Sequence, residues 1–374
     1  MQTEHRVLFQ PASHMGDLQD DSVALVVTSP PYPMIEMWDQ SFCTQDPRIG
    51  EQLTLGNGPG AFELMHQLLD AVWAECYRVL LPGGFACINI GDATRTRGSG
   101  FRLYTNHSRI TAACEALGMQ SLPAVLWRKQ TNAPSKFMGS GMLPSGAYVT
   151  LEHEYILILR KGDKRVFSEP EKKRRARSAF FWEERNSWFS DIWDFKGIQQ
   201  RLAQNQARKR SGAFPFELAF RLINMYSMQE DLVLDPFAGT ATTTIAAMAA
   251  GRNSLALEID RGLLPLVEAA IAEATPRLND RQQQRLQNHD SFVRQYRESR
   301  GADPGHRNTA HGFAVVTRAE VDLVIPAVSR VRREGEGHYT VEHDPLNERE
   351  SRIATEGVAA PGVDAGQLDL WSTE

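Results

Sequence analysis

Two short segments carry residue types that can handle a polar organic ligand. The first is Val23–Thr28, an apolar, β-branched run that leads straight into Ser29-Pro30-Pro31-Tyr32-Pro33. Proline fixes φ and has no N–H, so the carbonyls of Ser29 and Pro30 are claimed by no local amide. A serine hydroxyl beside a bared carbonyl can accept both hydrogens of an exocyclic amine, which turns the nitrogen lone pair toward an incoming electrophile. Tyr32 offers a flat face for a base, a stacking contact worth roughly 1–3 kcal/mol. The plain alternative is a strand exit stiffened by proline, with no chemistry.

The second segment is Leu232-Val-Leu-Asp235-Pro236-Phe237-Ala-Gly239-Thr240-Ala-Thr242-Thr. It reads as a strand, a tight turn of small residues and a helix start. Gly239 permits close backbone approach, and the first turn of the helix has free N–H groups for an anion. Nineteen residues after Gly239, Glu258 closes the next apolar run, where an acid usually meets ribose hydroxyls. No Gly-Lys-Ser/Thr follows and no GxGxxG is present. Asp235 would repel a pyrophosphate but suits a ligand that carries an amino group. A strand–turn–helix of this kind can also exist for packing alone.

Around these segments the chain alternates strands and helices. Residues 6–9 and 23–28 read as buried strands. Ala61 to Leu81 reads as an amphipathic helix, stopped by Pro82-Gly83-Gly84, and Phe85–Ile90 as another strand. Ser108–Leu117 is expected as a helix, with apolar runs at Leu122–Trp127 and Tyr155–Leu159 after it. The rhythm resumes with helix Phe214–Tyr226, strand Leu232–Leu234, helix Ala241–Ala250, strand Ser254–Glu258 and helix Leu263–Ala274. Such alternation implies a doubly wound parallel sheet with its site at the carboxyl ends of the strands.

Composition bounds the possibilities. A chain of 374 residues with 42% hydrophobic and 23% charged residues is that of a globular protein. No run approaches the roughly 20 apolar residues of a membrane span, and Met1-Gln-Thr-Glu-His-Arg is no signal peptide, so a cytoplasmic protein is expected. Four scattered cysteines without a CxxC pair indicate neither a metal site nor a disulfide framework. The net charge of -5 is unevenly spread: residues 160–210 hold 15 Lys/Arg against 7 Asp/Glu, whereas residues 341–374 hold 8 acids against 2 Arg. A phosphate backbone responds to the local field, so the basic stretch is a candidate for nucleic acid and otherwise a solvated face.

Thr28-Ser-Pro-Pro-Tyr32 resembles the catalytic motif of the amino-DNA methyltransferases, and Asp235-Pro-Phe-Ala-Gly-Thr240 resembles their cofactor motif. Here the catalytic motif comes first, with Asp235 lying 203 residues after Tyr32, an order similar to the beta class. Arg78-Val-Leu-Leu-Pro-Gly-Gly84, Glu152–Lys161 and Ser211–Leu218 are similar to further family segments, so the likeness spans roughly residues 5–275.

The resemblance implies a circularly permuted α/β fold, a doubly wound, mostly parallel sheet of the S-adenosylmethionine-dependent methyltransferase type with an inserted target-recognition region. It implies that Ser29, Pro30, Pro31 and Tyr32 hold the target base. Asp235, Pro236, Phe237, Gly239, Thr240, Thr242 and Glu258 would bind S-adenosylmethionine, with Phe214, Pro215 and Thr28 nearby. One departure is Ala241, where the family often has glycine. Serine at the first motif position is similar to the cytosine-N4 enzymes, while Asp or Asn there marks adenine-N6 enzymes. No Pro-Cys pair exists to supply the thiolate that carbon-5 methylation uses.

On this reading residues 1–162 form the catalytic half, 163–205 the target-recognition region, 206–300 the cofactor-binding half and 301–374 a polar extension, partly disordered. Lys172, Lys173, Arg174, Arg175 and Arg177 are expected to grip the phosphates of double-stranded DNA. Gln367-Leu-Asp-Leu-Trp371 resembles the peptide by which bacterial proteins dock on the sliding clamp. A cognate restriction endonuclease is a further expected partner. The competing readings are an adenine-N6 methyltransferase, a DNA-binding module without turnover and a small-molecule methyltransferase, which would not need the basic insert.

Overall fold

The computed structural model describes residues 1–97, 100–129, 138–139, 144–195, 214–346 and 353–358. Their main feature is an 11-stranded sheet. In chain order its strands are β1 (Gln2–Phe9), β2 (Val23–Thr28), β3 (Leu80–Ile90), β4 (Met119–Arg128), β5 (His153–Lys161), β6 (Ile192–Asp194), β7 (Leu232–Asp235), β8 (Asn253–Glu258), β9 (Pro326–Gly335), β10 (His338–Pro345) and β11 (Ala354–Glu356). Across the sheet the order is β6-β4-β5-β3-β2-β7-β8-β1-β10-β9-β11. The five strands β3, β2, β7, β8 and β1 pair in parallel, and β5 runs antiparallel between β3 and β4.

β2 and β7 are neighbours although more than 200 residues separate them, with Val233 opposite Leu25 and Leu234 opposite Val26. After β2 the chain crosses through α1 (Gly58–Val79) to β3 on one side. After β7 it crosses through α6 (Thr242–Ala250) to β8 on the other. Crossovers that diverge from adjacent strands open a crevice at their carboxyl ends. The chain's first strand, β1, lies beside β8 as its next parallel neighbour, which is the permuted order expected from the motifs.

Both faces of the sheet are covered, and period-2 alternation sorts the side chains between them. Leu25, Val27 and Cys87 face one core with α5 (Phe216–Tyr226), α6 and α7 (Leu264–Ala274). Val26, Ala86, Ile88 and Leu234 face the other with α1 and α2 (Asn106–Ala116). β3 begins at Leu80, so Pro82-Gly83-Gly84 lies inside a strand instead of ending a helix. Gly83 sits there at φ +81, where a Cβ would come within 2.2 Å of the Arg165 backbone nitrogen.

The described residues beyond 300 form more regular structure than their polar composition suggests. β10 pairs antiparallel with β1, β9 pairs with β10, and Leu323, Ile325 and Leu346 pack with Phe181 in a small third core. The apolar positions are too few and too widely spaced to announce strands, because β1 and α8 (Asp280–Arg300) supply the surface they need.

Two buried histidines make the fold acid-sensitive. His66 on α1 bonds Asn106 at 3.0 Å, and His343 on β10 bonds the Met248 carbonyl at 2.8 Å. Burial pushes each imidazole down from 6.5 to about 4. The unfolded chain therefore binds more protons between pH 6.5 and 4. The stability these groups contribute is present above pH 6.5 and is lost as pH falls toward 4. The expected loss is about 2 kcal/mol for each histidine at pH 5. Chemical denaturation at pH 7 and pH 5 measures it, and His343→Gln should remove its share of the difference.

Candidate active site

Ser29 to Tyr32 leave the carboxyl end of β2, and Asp235 ends β7 beside it, so both motifs meet at the crevice. A cavity of about 560 Å³ lies there. Ser29, Pro30, Pro31 and Tyr32 line one part of it, while Asp235, Pro236, Phe237, Gly239, Thr242 and Glu258 line another. Phe214 also lines it. Thr28 is buried behind the wall, and Thr240 is buried outside the lining. Pro215 faces a separate cleft beside Arg281.

The cofactor-side loop is pinned from within. The Asp235 carboxylate is buried and accepts from Thr28 Oγ1 at 2.7 Å, Thr243 Oγ1 at 2.7 Å and the Phe237 amide at 3.1 Å. Its first task is thus to tie the turn to β2, a role not visible in its sequence spacing. Burial raises its pKa, while those three hydrogen bonds work in the opposite direction. Glu258 at the end of β8 accepts from the Gly239 amide at 3.0 Å and the Asp260 amide at 2.9 Å. Burial also raises the Glu258 carboxyl. Gly239 and Ala241 both take left-handed backbone, at φ +52 and +65. At Ala241 that conformation strains the Cβ, a cost that glycine would not carry.

The base-side loop is held by residues that the motif does not contain. Ser29 Oγ donates to Tyr32 Oη at 3.1 Å, and Tyr32 Oη donates to Glu154 Oε2 at 2.9 Å. Asn89, near the end of β3, donates to Glu154 Oε2 at 2.7 Å and to Tyr32 Oη at 2.9 Å. Lys129 forms an ion pair with Glu154 Oε1 and lies 4.7 Å over the Trp127 ring. Burial and the Glu154 charge hold the Tyr32 phenol well above its usual range. A Cβ on Gly91 would stand 3.0 Å from the Tyr32 ring and 3.3 Å from Glu154, so glycine there lets the two meet. Asn89, Lys129 and Glu154 were missed from sequence. The available signal was a polar residue inside each apolar strand, at Asn89 in Phe85–Ile90 and at Glu154 just before Tyr155–Leu159.

The basic helix expected to grip DNA phosphates lies away from the cavity. α3 (Glu169–Arg177) follows the end of β5 and packs at Asp231, the residue before β7 begins, at the opposite end of the strands from the cavity. Arg174 bonds Asp231 at 3.1 Å, Lys172 bonds Glu169 at 2.6 Å and Arg175 lies over Phe167 at 4.8 Å. Lys173 and Arg177 are exposed, on that same helix. α4 (Trp182–Trp188) then joins the body through the buried pair Glu184–Arg285. Among the described residues of the stretch 163–205, β6 is the part that leads toward the cavity side, because it runs parallel to β4. Gln367–Trp371 lies outside the described residues.

Could this site hold S-adenosylmethionine? The cavity has the size of a small-molecule site, roughly 300–1,000 Å³. Glu258 closes the second strand, where a ribose would sit. The Thr242 hydroxyl is buried without a partner on the wall. The Phe237 ring is braced edge-on by Trp73 at 6.1 Å. The residues fit this cofactor, and the protein is S-adenosylmethionine-dependent.

Comparison with known proteins agrees. Residues 23–269 match the DNA methylase family of N6 and N4 methyltransferases. The chain is 48% identical over 359 residues to the type II methyltransferase M.MthZI of Methanothermobacter thermautotrophicus, covering 94% of this chain and 99% of that protein. It is 48% identical to M.MjaI of Methanocaldococcus jannaschii, over 72% of this chain and 91% of that one. A DNA modification methylase of Thermus thermophilus, described as putative and solved with S-adenosyl-L-methionine, is 32% identical with a TM-score of 0.55, over 72% of this chain and 95% of its own. No helix among the described residues is long and apolar enough to cross a membrane. With both motifs meeting at one crevice and the match running through both, the chain belongs to the N6/N4 DNA methylase family and is a DNA methyltransferase.

Proposed function

We propose that the protein methylates N4 of cytosine at a specific site in double-stranded DNA. The observation that carries the choice of base is Ser29, a neutral hydroxyl at the mouth of the crevice where adenine enzymes of the resembled family place Asp or Asn. The target base leaves the duplex and enters the cavity, since its amine is out of reach inside the stack. Ser29 Oγ and the Pro30 carbonyl accept the amine hydrogens, Tyr32 stacks on the ring, and Phe237, Gly239, Thr242 and Glu258 hold the cofactor. S-adenosylmethionine supplies a methyl group on a sulfonium, and the protein contributes alignment and hydrogen bonding.

Segments that leave the carboxyl ends of the strands are assigned to the DNA face. They include the hairpin Ala93–Arg97 and Gly100–Tyr104 and the described part of the loop before β5, residues 144–152. Exposed Phe101 on the hairpin stacks on Tyr148 of that loop at 4.7 Å, and Leu103 beside it is exposed. The type II names of the relatives support a role in a restriction-modification system in the cytoplasm, with a partner endonuclease. Gln367–Trp371 is kept as a candidate sliding-clamp peptide.

The test is to express the chain in cells free of other DNA methylases and sequence their DNA with readout of modified bases. N4-methylcytosine at one short sequence is expected. N6-methyladenine there would overturn the choice of base. An absence of methylation from purified protein, cofactor and mixed-sequence DNA would overturn the catalytic reading.

A further inference from the structure

Methylating an amine leaves a proton to be placed. As the N–CH₃ bond forms from the nitrogen lone pair, the S–CH₃ bond breaks with its electrons staying on sulfur. The nitrogen then carries a positive charge until one N–H proton departs. Ser29, Tyr32 and Asn89 are neutral, and none of them is a good final home for that proton.

We propose that Glu154 receives the proton, passed along Ser29 and Tyr32, and that it sets the direction of this hydrogen-bonded chain beforehand. This rests on the reading of the protein as an amine methyltransferase, and holds for either base.

The geometry dictates the direction. Glu154 Oε2 can only accept while ionised, so the Tyr32 hydroxyl points its hydrogen to Glu154 at 2.9 Å. The Asn89 amide donates to the same carboxylate and to Tyr32, and has no other role to offer them. Tyr32 Oη must then accept from Ser29, at 3.1 Å. Ser29 Oγ, with the Asn89 amide 3.5 Å away on one side, lines the cavity and keeps a lone pair for an incoming N–H. When the methylated nitrogen gives its proton to Ser29 Oγ, Ser29 passes its own to Tyr32 and Tyr32 passes its own to Glu154. The amine loses one proton, Glu154 gains one, and both hydroxyls end neutral. An N-protonated amide-like amine is a far stronger acid than a carboxylic acid, so the transfer runs downhill.

The groups around Glu154 fit this role. Lys129 forms an ion pair with Oε1, which leaves Oε2 to Tyr32 and Asn89. Tyr32 is the other titratable group facing it. Its neighbours on β5, His153 and Tyr155, belong to the alternate set that packs with His107, which pairs with Asp92. Asp235 and Glu258 ionise in the same cavity, and their hydrogen bonds do not involve Glu154. Glu154 thus acts through Tyr32 and Ser29 as a positioning residue and proton acceptor.

The experiment uses the full chain with its recognition sequence, unmethylated, as substrate. In Glu154→Gln the single-turnover rate should fall by roughly 10²-fold, in line with loss of one proton-transfer partner. The affinity for S-adenosylmethionine, read by calorimetry, should stay within about twofold. The fall of the wild-type rate toward acid pH should flatten in the variant. Tyr32→Phe, which cuts the chain while keeping the carboxylate, should flatten the same limb and decides the matter if Glu154→Gln does not fold. A Glu154→Gln enzyme at the wild-type rate, or a slowed one with the acidic limb intact, overturns the proposal. A wild-type chain that methylates no DNA refutes the functional reading instead.

Discussion

Ser29→Ala is expected to lower the single-turnover rate of methyl transfer by about 10³-fold, equivalent to about 4 kcal/mol of activation free energy. The hydroxyl lies at the end of the Glu154–Tyr32–Ser29 chain and is its only member with an acceptor free for the substrate. Alanine leaves one amine hydrogen without its partner and frees the nitrogen to rotate its lone pair away from the methyl group. Losing one aligned hydrogen-bonding group at a reacting centre elsewhere costs roughly 10²–10³ in rate, and the interrupted proton path adds to that here. Stability should change by no more than about 1 kcal/mol, because Ser29 is only half-buried and its hydroxyl makes one good intramolecular bond. Rapid-quench assays with labelled cofactor, beside calorimetric cofactor binding, separate the two effects. A rate within tenfold of wild type would remove Ser29 from the chemistry and with it the main ground for cytosine.

Asp235→Ala should act on binding instead, weakening the affinity for S-adenosylmethionine by more than about 100-fold. It strands three donors that converge on one carboxylate, from Thr28, Thr243 and Phe237. A buried donor left without a partner costs about 1–3 kcal/mol, and the hydroxyls can turn away while the amide cannot, so a net destabilisation of about 3 kcal/mol is expected. The turn that carries Gly239 and Ala241, both in left-handed backbone, then loses the tie that offsets its strain. Asp235→Asn is the informative contrast. Burial has raised the Asp235 carboxyl, so the folded protein holds that proton more tightly than the unfolded chain does. Its contribution to stability therefore declines as pH rises from the ordinary carboxylate range to the raised one, and stays low above it. An amide carries no such charge and still accepts from Phe237, so the Asn variant should keep cofactor affinity within about tenfold. Equal losses in both variants would mean that the negative charge itself meets the ligand.

Local pattern made much of the fold legible. β2, with all six residues buried, is an apolar run ending in Thr28, and the helices α5, α6 and α7 begin within one or two residues of where their periodicity and turn signals place them. The pairing of the two motifs was legible because each is a strand end followed by turn chemistry, and strand ends on one side of a parallel sheet must converge. Strand β10 and the third core were not. Their apolar residues are sparse, and they are stable only because the edge of β1 and the Phe181 surface were already in place to receive them.

Charge is where sequence could not give a place in the fold. Lys172 to Arg177 form the densest basic run in the chain, but a run records composition and not position. α3 follows β5, an antiparallel strand that returns the chain to the amino ends of its neighbours, where Asp231 and Glu230 take up Arg174.

The sequence by itself determined which two loops are proposed to do the work, since Ser29-Pro-Pro-Tyr32 and Asp235–Thr240 carry particular side chains and backbone freedoms that a linear string displays. Only the tertiary structure decided what completes them. Asn89, Lys129 and Glu154 come from three separate places in the chain, and their meeting depends on β5 running antiparallel beside β3. Hydrogen bonds act over about 3 Å and ignore sequence distance, so a network assembled across strands leaves no trace in local spacing.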